Sequence, residues 1–194
     1  MNKKLPIRKY QLDEEGMMGV YAVSLVEEPA IMVDWVALAE QKQIKMSAID
    51  EERRMLYGPL LIPDQLIYRV DPETQEEYYA QYSGDVIMQC AHLFLKKNQH
   101  HNATLMHQVP LLGCTVVESW VKEFESDKSV GLGMDLPIKT WFIGQHIDND
   151  ATWAEVKNGT VKGHSIEAFF IQDTAMSRMI ADFNKLVEEI EKVS

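Results

Sequence analysis

From Gly19 to Ile171 the chain is a succession of short apolar runs rich in β-branched and aromatic residues, each ended by a turn or breaker cluster. Residues 19–26 (GVYAVSLV) close on Glu27-Glu28-Pro29, the pattern of a strand and its stop. Residues 55–62 (MLYGPLLI) form a second strand. Pro59 lacks a backbone donor and confines that strand to a sheet edge or a bulge. Residues 66–70 and 76–82 flank Asp71-Pro72-Glu73-Thr74-Gln75, a hairpin connection. Further strands are expected over 115–121, 140–147 and 161–171. Helices are fewer. Val86, Ile87, Cys90, Ala91 and Phe94 recur at helical spacing after Ser83, a ready N-cap. A short helix is expected over 150–156. Met176, Met179, Ile180, Phe183, Leu186, Val187 and Ile190 make one apolar stripe that Asp173 or Thr174 can cap. The expectation is an α+β chain with one domain over 1–172. A C-terminal amphipathic helix over 173–194 would pack on that domain or serve assembly.

With 194 residues, 46% hydrophobic and 25% charged, the chain can bury a substantial core. Nineteen basic residues against thirty acidic ones give a net charge of −11. Lys and Arg are scattered, so no basic face is available to replace the counterions of a nucleic acid. No run approaches the roughly 18 apolar residues of a membrane span. Residues 1–6 carry Lys3 and Lys4 without a following apolar run, which is not the pattern of a secretory signal. A soluble cytoplasmic chain is expected, with Cys90 and Cys114 as two buried thiols in a reducing compartment.

Fingerprints for nucleotides, metals and the GxSxG elbow are absent, so neither cofactor nor metal is expected. His100 and His101 lack a ligand-spaced partner and read as a solvated loop. The segment Gly163-His164-Ser165-Ile166-Glu167 is more informative. Side chains alternate along a strand. His164 therefore points away from Ser165, whereas Glu167 shares the serine's face and Gly163 leaves open space beside it. A base for Ser165 must come from elsewhere, and His107 is the best candidate. The plainer reading of a lone histidine among apolar residues is a core or surface histidine. Glu118 alternates with Val116 and Trp120 on one strand face. There it either sits in water or, if buried, needs a partner such as a histidine N–H.

Together these residues resemble the prohead maturation proteases of tailed bacteriophages, in particular the XkdF-type serine proteases. The resemblance is carried by Ser24-Leu25-Val26-Glu27-Glu28-Pro29-Ala30, Gly58-Pro59, Ile67-Tyr68-Arg69, His107, Val117-Glu118-Ser119 and the stretch from Trp153 through Gly163-His164-Ser165-Ile166-Glu167. It implies a herpesvirus-protease-like fold, a mostly antiparallel β-barrel with surrounding helices. It implies His107 as general base and Ser165 as nucleophile. Herpesvirus proteases place a second histidine after the serine, and this chain has none there. A carboxylate is expected instead: Glu118 first, Glu167 second, with His146 a more distant choice. The implied substrates are the scaffold or core protein, the major capsid protein and the protease itself. The implied setting is the immature capsid in the host cytoplasm, with a homodimer possible and no direct contact with nucleic acid or membrane. The competing expectation is a non-catalytic capsid or scaffold-core structural protein that keeps the fold.

Overall fold

The computed structural model describes residues 5–13, 18–29 and 48–174. The expected C-terminal helix over 173–194 falls almost wholly outside them. The strands are β1 (Ile7–Gln11), β2 (Gly19–Val26), β3 (Ala48–Asp50), β4 (Met55–Leu61), β5 (Ile67–Val70) and β6 (Glu77–Tyr82). Helix α1 (Gly84–Lys96) and a 3-10 turn (Gln99–His101) follow. Then come β7 (Ala103–Leu105), β8 (Val109–Pro110), β9 (Cys114–Val121), the single turn α2 (Lys128–Gly131), β10 (Trp141–Ile147), α3 (Asp150–Lys157), β11 (Gly163–Phe169) and β12 (Ile171–Gln172).

Local chemistry sets most of these boundaries. The Ser83 hydroxyl accepts from the Val86 N–H to start α1, and the Asn149 side chain accepts from the Thr152 N–H to start α3. The Asp71 carboxylate takes the N–H groups of Glu73 and Thr74 and pins the β5–β6 hairpin. Pro59 sits where β4 runs beyond the reach of β3, opposite a register shift between Trp141 and Phe142 of β10. Its missing donor therefore costs little there.

The strands form three four-stranded sheets, ordered β12-β1-β6-β5, β3-β4-β10-β9 and β11-β2-β7-β8. This corrects the expected barrel. Closure needs every strand to be paired on both sides, and among the described residues each of these sheets ends in two edge strands. Nor is the pairing uniformly antiparallel, because β1–β6 and β2–β7 run parallel. Phe94 of α1 packs edge-on against Trp141, joining the helix to the second sheet in a core with Leu60, Leu61, Ile87 and Phe142. A smaller core of Leu25, Leu56, Ile147, Trp153 and Val161 lies under α3. Cys90 belongs to the first core and Cys114 to the second, and both are free thiols.

Candidate active site

The third sheet carries the candidate chemistry. In β11, Ser165 lies opposite Ser24 of β2 and Glu167 opposite Ala22, while on the other side of β2, Ser24 lies beside Thr104 of β7. Laterally paired residues project to the same face. One face of this sheet therefore presents Ser165, Glu167, Ser24 and Thr104 together. His164 points to the other face and is buried, with no hydrogen bond to either ring nitrogen among the described residues. Burial pushes its pKa down to about 3, so the imidazole is neutral. The alternation argument for Ser165 and Glu167 thus holds. The open space expected at Gly163 does not, because a Cβ there would meet the Pro29 ring at 2.9 Å.

His107 reaches this face from the turn after β7. Met106 and His107 both adopt left-handed backbone, with φ of 51° and 58°. For residues with a side chain this costs about 1–2 kcal/mol each. Three bonds hold the turn: Met106 N–H to the Leu25 carbonyl at 3.0 Å, Gln108 N–H to the Leu105 carbonyl at 3.0 Å, and His107 N–H to Ser24 Oγ at 2.9 Å. The His107 imidazole is thereby set against Glu167, with Nδ1 3.4 Å from Oε1. The Thr104 hydroxyl donates to the same Glu167 oxygen. Tyr21 also faces this carboxylate: burial first, and then the charge of Glu167, raise the pKa of its phenol.

Glu118 is elsewhere. It lies on β9 in the second sheet, in register with Gly144, which is in turn in register with Tyr57. Gly144 has no side chain, so the Tyr57 ring lies across it; a Cβ there would sit 2.6 Å from Tyr57 Cε1. The Tyr57 hydroxyl donates to Glu118 at 3.0 Å, and the Lys128 ammonium pairs with the other carboxylate oxygen. Burial alone would raise the pKa of Glu118, but the Lys128 and Tyr57 hydrogen bonds outweigh it and hold the pKa below the usual value. The carboxylate brought to His107 is therefore Glu167 and not Glu118. His146 faces Asp148 at 3.4 Å and is likewise not at this face. The His100 and His101 rings lie 4.1 Å apart, tilted at 45° to each other, and line a groove with Glu118 and Lys128. Among the described residues no three His, Cys, Asp or Glu side chains converge as metal ligands.

The arrangement has the parts of a hydroxyl-nucleophile site: a half-buried serine, an accessible imidazole and a carboxylate 3.4 Å from its Nδ1. The family described as "putative phage serine protease XkdF" matches residues 43–172, which include His107, Glu118, Ser165 and Glu167. The chain belongs to this family. No curated protein and no solved structure matches it. In this XkdF-family chain, Ser24 carried the resemblance in sequence but was given no place at the site. It lies ahead of the matched segment, and its signal was a hydroxyl inside an otherwise apolar strand, which requires a partner when buried.

Proposed function

We propose that this chain is a serine endopeptidase of phage capsid maturation, with Ser165 as nucleophile, His107 as general base and Glu167 as the orienting carboxylate. The observation that carries this reading is the contact of His107 with Glu167 above the sheet face shared by Ser165. Among the described residues Ser165 makes no side-chain hydrogen bond, so its hydroxyl is free to engage the base once a substrate is bound. Catalytic hydrogen bonds often tighten only at that stage.

In the proposed reaction, His107 takes the Ser165 proton as Oγ attacks the scissile carbonyl. The tetrahedral intermediate collapses, and the imidazolium delivers that proton to the leaving amine. Water, deprotonated by the same imidazole, then attacks the acyl-enzyme, and the imidazolium returns that proton to Ser165 Oγ as the carboxylic product leaves. Glu167 holds the Nδ1–H tautomer and stabilises the imidazolium. The half-exposed side chain of His107, at 42% against 18% for Glu167, leaves the base within reach of an incoming chain.

The proposed substrates are the scaffold or core protein, the major capsid protein and the chain itself. Co-expression with the neighbouring capsid genes, followed by mass spectrometry of new termini, tests this. Cleaved scaffold is expected with the wild-type chain and uncleaved scaffold with Ser165→Ala. Equal processing by both would overturn the assignment and favour a structural role for this chain.

A further inference from the structure

We infer that Ser24 is a positioning residue for His107: its buried hydroxyl fixes the left-handed turn that aims the imidazole. This rests on the reading of His107 as the base. Ser24 is fully buried at 0% exposure. Its Oγ accepts from the His107 N–H at 2.9 Å and makes a longer contact, 3.5 Å, as donor to the Thr104 carbonyl. Those two groups stand on either side of Leu105 and Met106, so one hydroxyl ties the entry of the turn to its exit. Backbone at positive φ relaxes towards ordinary regions when nothing holds it. Without the hydroxyl, the His107 N–H loses its partner, and only the Met106 and Gln108 N–H bonds still hold the turn.

The role needs an oxygen that accepts and donates at once. Threonine meets that requirement, alanine does not, and a thiol accepts only weakly. Ser24 also lies in register with Ser165, so the hydroxyl that sets the base is anchored to the strand that pairs with the nucleophile's strand. A shift of the turn therefore moves the base relative to Ser165 directly. Because Ser24 has no exposed surface, it does not contact substrate.

The test compares Ser24→Ala and Ser24→Thr with Ser165→Ala and His107→Ala in the full chain, using a peptide that spans a mapped cleavage site. Ser24→Ala should lower kcat by about 10- to 100-fold, the effect of a misplacement near 1 Å. KM should not change, and circular dichroism should remain native. Hydrogen exchange followed by NMR should show the His107 amide protected in the wild type and fast in Ser24→Ala. Ser24→Thr should restore both protection and kcat. If the alanine variant does not fold, Ser24→Cys carries the same expectation of reduced kcat. Wild-type kcat in a folded Ser24→Ala chain would overturn the inference. So would lost activity with the His107 amide still protected, since the loss would then not run through the turn. Full cleavage by His107→Ala would instead overturn the base assignment, so the variant that stays active tells the two failures apart.

Discussion

Replacing Glu167 with glutamine removes a charge but keeps shape. The carboxylate lies 3.4 Å from His107 Nδ1, and the two side chains are 18% and 42% exposed. For a pair this open to water an effective dielectric of about 40–80 applies, so Coulomb's law gives roughly 1–2.5 kcal/mol for stabilising an imidazolium there. That alone is a factor of about 5 to 70 in rate. Loss of tautomer control adds to it, although the total should stay below the ~10⁴-fold cost of the same change at a buried triad aspartate. The expected fall in kcat for Glu167→Gln is therefore about 10- to 1,000-fold. Glu118→Gln is the control. It removes the half-exposed ion pair with Lys128 and leaves an amide oxygen that can still accept from Tyr57, which should cost about 1 kcal/mol of stability at most and leave kcat unchanged. The assay is steady-state cleavage of a peptide carrying a mapped cleavage site. Unchanged kcat in Glu167→Gln, or a larger fall in Glu118→Gln, would refute the choice of Glu167.

His164 has a folded-state pKa pushed down to about 3 by burial, so below the ordinary value near 6.5 the unfolded chain binds the extra proton. Its contribution is intact above pH 6.5 and is lost as pH falls towards 3, by at most about 1.4 kcal/mol per pH unit. Denaturant melts of His164→Leu should show that part of the acid dependence removed; an identical pH slope would contradict its neutral burial. Gly163→Ala drives a Cβ to 2.9 Å from the Pro29 ring and should destabilise the chain by about 1–3 kcal/mol, read as a lower Tm. Burial pushes the thiols of Cys90 and Cys114 up to about 12 and about 11. Both should resist a disulfide-exchange reagent in the native chain and react on unfolding; fast native labelling would contradict their burial.

What the sequence disclosed was local. Helix α1 with its Ser83 cap, the Asp71 hairpin and the face shared by Ser165 and Glu167 each depend on neighbours within a few residues, and periodicity reports those. The sheets depend on distant pairings. Nothing near Ile7–Gln11 announces a parallel partner in β6, nor does β2 announce one in β7. The barrel was implied by resemblance alone, and among the described residues three open sheets stand in its place. Glu118 was expected either in water or buried against a partner; its side chain is 38% exposed and still pairs with Lys128 and Tyr57, because Gly144 gives the tyrosine ring room to cross. His107 arrives through a turn at positive φ, a conformation that histidine visits more readily than most residues but methionine does not. Tertiary hydrogen bonds impose that conformation, so no local pattern could have aimed the imidazole.

The central claim is that Ser165 is activated by His107. Fluorophosphonate labelling of the folded chain, mapped by peptide mass spectrometry, tests it most directly. The adduct is expected on Ser165 in the wild type and absent in His107→Ala. An adduct on a different serine, or equal labelling of Ser165 in the His107→Ala chain, would contradict it.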